Sequence, residues 1–187
     1  MPLAVGACAL WIGGLACAGE ASLNGRAGLW VEASLVTMNG VKLPGVLDVQ
    51  GGLAPADVQQ IRGAMKTLGL PEGWDPKLVC LTPDAFDVAV ATQKAAGVCP
   101  SPELVIHGNS VKYQARCETG ADQRLVVSGD VSVQNEVEMT QSSRQEVLVR
   151  GLKTVTEARS VSRWLGADCS QAPKGIEPQW LQTLSDH

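Results

Sequence analysis

Polar and apolar residues alternate along much of the chain, which is the pattern of β-strands that bury one face. Between Gly28 and Met38 this alternation gives a strand two distinct faces. Asn39-Gly40 follows as a two-residue hairpin turn, because both residues tolerate positive φ. The sequence therefore predicts a strand over 28–38, a tight turn, and a second strand over 43–49.

Two segments carry helix signals. The first begins at Pro55, is stopped by Gly69 and Pro71, and keeps its apolar residues on one face. The second begins at Thr82, an N-cap residue followed by proline, and is predicted to run to Gly97. The apolar positions of the first helix are Val58, Ile61, Met65 and Leu68.

The rest of the chain is predicted to be strand. Its period-two alternation is typical of half-buried antiparallel strands, separated by turns that contain glycine. We expect strands at 111–117, 125–127, 131–139, 146–150 and 153–162, with turns at Gly108-Asn109, Gly120 and Gly129. These elements predict an α+β fold that is mainly antiparallel β-sheet, curved or barrel-like, with two accompanying helices.

The first eighteen residues are similar to an export signal. Residues 1–18 carry no charged side chain and end in Ala16-Cys17-Ala18, the small-residue pattern that a signal peptidase reads. They are shorter than the run of about 20 apolar residues that a membrane span needs. We expect residues 1–18 to be a signal peptide, 19–170 a single β-rich domain, and 171–187 a C-terminal tail.

Export places the mature protein in the periplasm or outside the cell. One alternative is a lipoprotein, because Leu15-Ala16-Cys17 is similar to a lipobox and Cys17 would then carry a lipid anchor. The other is a cytosolic protein that buries its apolar N-terminus.

Four cysteines follow this leader, at Cys80, Cys99, Cys117 and Cys169. In an oxidising compartment disulfides are the default fate of such thiols. Three pairings are possible, and we prefer Cys99 with Cys117 and Cys80 with Cys169. The alternative, a metal held by thiolates, needs closely spaced pairs such as C-x-x-C, which the sequence lacks. We therefore expect disulfides and no metal.

Charge and motif content argue against several classes of partner. The formal net charge is −4 and the basic residues are scattered, which disfavours nucleic acid and anionic membrane surfaces. No glycine-rich phosphate-binding motif is present, so no cofactor is expected. We also expect no membrane span in the mature chain.

Few residues are candidates for catalysis. His107 follows an apolar run before Gly108-Asn109, and no nucleophile signature accompanies it, so we interpret it as an exposed residue at a strand end. The carboxylates of the strands are typical of a solvated face; they are Asp130, Glu136, Glu138 and Glu146. We assign no catalytic residue and do not expect an enzyme.

Tryptophan is the remaining signal for a site. Trp30, Trp74 and Trp164 are candidates to line an apolar ligand pocket, because a sheet that curls over helices leaves concave space. The competing interpretation places all three in the core.

Three short motifs resemble those of DUF3617, a family of exported bacterial proteins of unknown function. They are GLWVE at 28–32, CLTPD at 80–84 and RWLGADC at 163–169, and they span nearly all of the mature chain. The resemblance implies a small β-rich envelope protein and brings no catalytic or binding residues. Val31 separates the motif tryptophan from Glu32, and Asp84 replaces the usual glutamate.

Together these observations predict a non-catalytic exported protein. Our first hypothesis is a binding module for a small apolar ligand or an envelope partner. The second is a structural or stress-related envelope protein that acts through protein contacts.

Overall fold

One open antiparallel sheet organises the molecule. The computed structural model describes residues 22–45, 47, 55–88, 102–120 and 122–170. Within them lie β1 (Gly28–Met38), β2 (Val41–Lys42), α1 (Pro55–Thr67), β3 (Asp75–Leu81), a 3₁₀ turn (Pro83–Ala85), β4 (Glu103–His107), β5 (Ser110–Gly120), β6 (Gln123–Gln134), β7 (Glu138–Val149) and β8 (Leu152–Gly166).

The strands follow the order β2-β1-β8-β7-β6-β5-β4, and every pairing is antiparallel. Both β2 and β3 lie against the same edge of β1, where β3 pairs with residues 28–34 and β2 with residues 37–38. The sheet ends at β4 without closing on itself, so it is not a barrel.

An apolar cluster packs between α1 and one face of β1. Leu29, Val31 and Ala33 point to this face, because alternate strand residues share a side. Ile61 and Met65 of α1 pack against them and are almost fully buried, as their helical spacing predicts. Burying these aliphatic side chains stabilises the fold by about 1.5–3 kcal/mol each.

The opposite face of β1 carries a second cluster. Trp30 is fully buried there, together with Phe86, Val88 and Val111. The chain reaches this face after the 3₁₀ turn, where the backbone N–H of Leu23 donates to the carbonyl of Phe86 at 2.8 Å. One strand therefore contributes to both apolar clusters.

The first hairpin confirms the Asn39-Gly40 prediction, since both residues have positive φ, at 50° and 81°. The strand predicted over 43–49 is not found at residues 43–45 and 47, and 46, 48 and 49 lie outside the described residues. The partner of β1 is only Val41–Lys42, and the residues that follow it, 43–45, form no strand. Pro44 explains the early end, because proline has no N–H to continue the ladder.

The prediction of two helices is also corrected: α1 is the single α-helix element of the described chain. Thr82 lies in the extended region, its side chain makes no capping bond, and only the 3₁₀ turn follows it. Asp87 then forms an antiparallel bridge with Ser22, so no α-helical backbone occurs before Val88, which is itself helical and is the last described residue of this stretch. Residues 89–101 lie outside the described residues.

Two further differences concern the strands. The predicted strand over 131–139 is divided by a turn at Asn135 and Glu136, where both residues have positive φ. Gly129 is not a turn, because it lies inside β6 opposite Tyr113. A Cβ at Gly129 would lie 2.6 Å from the Tyr113 ring, so the close approach explains the glycine.

The leader (1–18), with Cys17, and the C-terminal tail (171–187) lie outside the described residues. No described helix is both long enough and apolar enough to cross a bilayer.

Candidate functional site

A polar groove crosses the middle of the sheet. It lies on the face that α1 covers at β1, because register pairs Leu35 of β1 with Arg159 of β8. From there one cross-strand row continues through Ser142 and Asp130 to Lys112 of β5. Directly paired residues of neighbouring strands share a face, so these side chains lie side by side.

The groove has a volume of about 480 Å³. Small polar residues, Ser128 and Ser142, form part of its floor, and charged side chains stand around them. The charged lining residues are Glu103, Lys112, Asp130, Arg144, Glu157 and Arg159. The size is that of small-molecule sites, but such sites are mostly apolar, and this one offers hydrogen-bonding groups instead.

Two lining acids already have partners. The Asp130 carboxylate accepts a short hydrogen bond from the Ser142 hydroxyl. Glu157 accepts from the guanidinium of Arg144, which also contacts Glu146 at 2.8 Å. Lys153 holds the other oxygen of Glu146 at 2.8 Å.

These contacts shift the ionisation of the exposed groups in the expected directions. Hydrogen bonds from Lys153 and then Arg144 lower the pKa of Glu146. Hydrogen bonds to Glu146 and Glu157 raise the pKa of Arg144. Glu146 and Arg144 are thus both charged around neutral pH.

Lys112 and Arg159, unlike Arg144, have no ion-pair partner among the described residues. Both are exposed, both line the groove, and neither makes an ion pair within the described part of the chain. They stand three strands apart in the same row, so about 14 Å separates their backbones. The groove therefore presents two cations that are available to a ligand.

Tyr113 lies on the opposite face, beneath the floor. Burial raises its pKa, and the negative charge of Asp130 raises it further, against a smaller opposing effect of the Gln141 hydrogen bond. The phenol is therefore neutral at physiological pH, and it packs against Gly129 as a support for the sheet.

The three tryptophans do not line a common pocket. Trp30 and Trp164 are directly paired between β1 and β8 and belong to the same cluster. Trp74 packs against the α1 cluster on the other face. The structure thus brings two of the three together, in a packed core and not along the groove.

Residues 22–27, which we call the N-terminal segment, cover the end of this core. Indole Nε1 of Trp30 donates to the Arg26 carbonyl at 2.9 Å, and that of Trp164 donates to the Ala27 carbonyl at 3.2 Å. The Arg26 guanidinium lies 5.4 Å from the Trp164 ring centroid and 3.2 Å from Glu136. Cation–π and ionic contacts therefore hold the segment on the sheet.

The three motifs of the sequence meet at this end of β1. Leu29 pairs with both Cys80 and Gly166, and Cys80 forms a disulfide with Cys169. Gly28, at φ 135°, has no room for a side chain, because a Cβ would lie 2.2 Å from the Gly166 carbonyl oxygen. The three motifs therefore contact one another at this end of β1, and the disulfide links β3 covalently to the residues that follow β8.

The predicted Cys80–Cys169 disulfide is confirmed. Cys117 is buried and disulfide-bonded, but Cys99 lies outside the described residues, so the pairing of these two stays a prediction. No group of three potential metal ligands occurs among the residues that the structure describes.

His107 lies exposed at the last position of β4. Within the described residues its ring makes no hydrogen bond, so no triad forms around it. Of the acids that the sequence singled out, Glu138 pairs with Arg163 at 3.1 Å, while Glu136 lies in the β6–β7 turn. These carboxylates are dispersed along the strands and do not converge.

Sequence reasoning missed the groove. Its residues are separate along the chain, and only the pairing register of five strands places them together. The available signal was the excess of serine on the polar positions of β6 and β7.

Comparison with known proteins gives a family and no relative of known function. Residues 25–169 match the family described as "Protein of unknown function (DUF3617)". No curated protein and no solved structure matches the chain.

Proposed function

Since the chain belongs to the DUF3617 family, whose function is unknown, we propose that it is a non-catalytic binding protein that works outside the cytoplasm. Its ligand is a small polar molecule with an anionic group, taken up in the groove across β4–β8. The pair of unpartnered cations, Lys112 and Arg159, carries this proposal.

The chemistry of the groove supports a polar ligand over an apolar one. A carboxylate or phosphate gains charge-assisted hydrogen bonds from Lys112 or Arg159. Hydroxyl or amide groups of the same ligand find partners on Ser128 and on the neighbouring acids. An apolar molecule would desolvate these groups without replacing their hydrogen bonds.

The extracytoplasmic location rests on two features. The apolar, uncharged residues 1–18 are typical of an export signal. The Cys80–Cys169 disulfide is typical of proteins that fold in an oxidising compartment. Intact-mass measurement of the mature protein from its native cells tests the location, because a mass that retains residues 1–18 and reduced thiols would contradict export.

Ligand binding is tested with the purified protein. Native mass spectrometry first searches for a copurifying small molecule, and calorimetry then measures inorganic phosphate, citrate and glucuronate as probes. We expect saturable binding of at least one probe. Replacing both cations, Lys112→Gln with Arg159→Gln, should weaken it about tenfold or more.

Arg62→Gln is the matched control, because Arg62 is an exposed cation on α1, away from the groove. The affinity of the Arg62→Gln variant for the probe should equal that of the parent protein. No copurifying species together with no binding of any probe would overturn the proposal, as would equal losses in the control and the double variant.

The edge strand β4 favours a second candidate function, in which the protein acts through protein contacts. β4 terminates the sheet order, and Val105 and Ile106 on it are both exposed. Such an edge can accept a further strand from a partner. Crosslinking in intact cells that recovers only the monomer would exclude this role.

A further inference from the structure

The last strand of the sheet has one edge without a partner strand. β4 pairs with β5 alone, and no other strand of the described chain lies on its outer side. Val105 is 50% exposed and Ile106 is 41% exposed, on opposite faces of the strand. The other edge of the sheet is less suited to pairing, since β2 has two residues and β3 carries Pro76 and Lys77. β4 is therefore the edge that can accept a further strand.

The hydrogen-bond pattern identifies which backbone groups of β4 face outward. The N–H of Val133 in β6 donates to the carbonyl of Asn109, the residue before β5, at 3.0 Å. Because the backbone groups of successive strand residues point to alternate sides, Ser110 and every second residue after it in β5 bond to β4 instead. Their partners in β4 are Glu103, Val105 and His107. The N–H and C=O groups of Leu104 and Ile106 therefore point away from the sheet.

Only one antiparallel register lets all five residues of β4 pair with the β4 of a second copy. An outward-facing residue must meet another outward-facing residue, so Leu104 lies opposite Ile106 of the second copy, and Val105 lies opposite its own counterpart. Pro102, which has no N–H, and the turn at Gly108 bound this pairing on its two sides. The pairing is two-fold symmetric, as most homodimer interfaces are.

The two ends of β4 are complementary in charge under this register. Glu103 lies opposite His107 of the second copy, and the same pair recurs on the other side of the two-fold axis. Both side chains are exposed, and neither has an ion-pair partner in the part of the chain that the structure describes. On the other face Leu104 meets Ile106, so an apolar contact accompanies the two charged pairs. The strand is thus self-complementary in hydrogen bonding, in charge and in apolar character.

From this arrangement we propose that the protein forms a homodimer in which the two β4 strands pair edge to edge and join the two sheets. Glu103 and Val105 line the groove, so the second copy places its His107 at the border of that groove. The proposal deepens the second candidate function, on which it rests, by naming a second copy of the chain as the partner. It is independent of ligand binding in the groove.

Analytical ultracentrifugation of the purified protein tests the dimer. We expect an equilibrium between monomer and dimer that shifts with protein concentration. Val105→Glu should weaken association about tenfold, because a contact between two valines is replaced by two like charges on the axis. Val41→Glu is the matched control, since it adds the same charge at an exposed position of β2, away from β4. It should associate as the parent protein does.

An exchange of charges tests the register. Glu103→Lys should weaken the dimer about fivefold, because it places a cation opposite His107 of the second copy at both ends of the interface. Adding His107→Glu to that variant should restore association, because opposite charges then face each other again. A double variant that associates no better than Glu103→Lys alone would contradict this register.

Engineered cysteines measure a distance across the interface. Directly opposite residues of antiparallel strands have Cα atoms about 4.5–5.5 Å apart, which is within disulfide range. Val105→Cys should therefore give a disulfide-linked dimer on mild oxidation. Ile106→Cys is the control at a similarly exposed site, and it should not, because its counterpart lies two residues further along the partner strand, beyond about 7 Å.

The outcomes are distinct. A dimer that Val105→Glu weakens, that the charge exchange restores and that forms a disulfide at position 105 but not at 106 supports the pairing. A protein that stays monomeric up to about 1 mM overturns it, as does a dimer that the β4 variants leave unchanged. If crosslinks from position 105 in intact cells reach a different protein instead, the homodimer is overturned and the role in protein contacts is retained. Absence of any such crosslink excludes both.

Discussion

The carboxylate of Glu136 accepts a hydrogen bond from Nε of Arg26 at 3.2 Å, and 110 residues separate the two in sequence. Glu136 occupies a left-handed position of the β6–β7 turn, at φ 62°. Asn24 donates to its second carboxylate oxygen at 3.0 Å. The N-terminal segment and an unusual turn therefore hold each other in place.

This contact predicts a pH dependence of stability. Hydrogen bonds from Arg26 and Asn24 lower the pKa of Glu136 below its ordinary value of 4.5. A carboxyl whose pKa is lowered by folding stabilises the fold above its unfolded pKa and loses that contribution as the pH falls through the folded value. The melting temperature of Glu136→Gln should therefore converge on that of the parent below about pH 4.

Arg26→Gln provides the control for this titration. Without the guanidinium, changing Glu136 to Gln should alter the pH profile much less, because the main cause of the lowered pKa is gone. Parallel profiles for the parent and Glu136→Gln between neutral pH and about pH 3 would contradict the prediction.

Removal of the Cys80–Cys169 disulfide should destabilise the protein. The bridge spans 89 residues and restricts the unfolded chain, so Cys169→Ser should lower the free energy of unfolding by about 2–4 kcal/mol. Denaturant unfolding of the single variants and of the Cys80→Ser, Cys169→Ser double variant measures this. The double variant should resemble each single one, and additive losses would show that the two cysteines act separately.

Gly129 should not tolerate a side chain. A Cβ there would lie 2.3 Å from the Ser142 carbonyl oxygen as well as against Tyr113, and the backbone must move to admit it. Gly129→Ala should therefore destabilise by about 1–3 kcal/mol.

Gly63 offers the contrasting position, since it lies inside α1 with open space where its Cβ would be. Gly63→Ala should stabilise by about 0.5–1 kcal/mol, because alanine is the better helix former. Thermal unfolding of both variants shows whether the two changes in stability have opposite signs. A neutral Gly129→Ala would show that the sheet accommodates the methyl group.

Ser162 is a buried hydroxyl without a partner. It is fully buried on β8, and its Oγ makes no hydrogen bond within the described residues. Ser162→Ala should raise the free energy of unfolding by about 1 kcal/mol, because an unsatisfied polar group is removed. Ser34→Ala is the control: it deletes a hydroxyl that donates to the backbone carbonyl of Asp75 at 3.4 Å, and it should destabilise.

The elements that sequence predicted well are those specified locally. Asn39-Gly40 is sufficient to form its turn, and the spacing of Ile61 and Met65 is sufficient to define the buried face of α1. The turn at Asn135 and Glu136 was missed because glutamate rarely adopts positive φ, and Arg26 stabilises it from the far end of the sequence.

Other features depend on the sheet as a whole. Strand β3 contains Pro76 and Lys77, which interrupt the alternation of apolar and polar residues by which a strand is predicted. Both are tolerated because β3 lies at the edge of the sheet. Of the groove residues, the sequence singled out only Asp130, as part of a solvated face. Which of them become neighbours is decided by the pairing of distant strands, and no local pattern encodes that pairing.

The two-sided burial of β1 limits how the molecule can come apart. Val31 and Trp30 are adjacent in sequence but anchor opposite faces, so opening either side leaves the strand half solvated and weakens the other. The apolar clusters on the two faces of β1 should therefore unfold cooperatively. The backbone amides of β1 should accordingly be among the last to exchange with deuterated solvent.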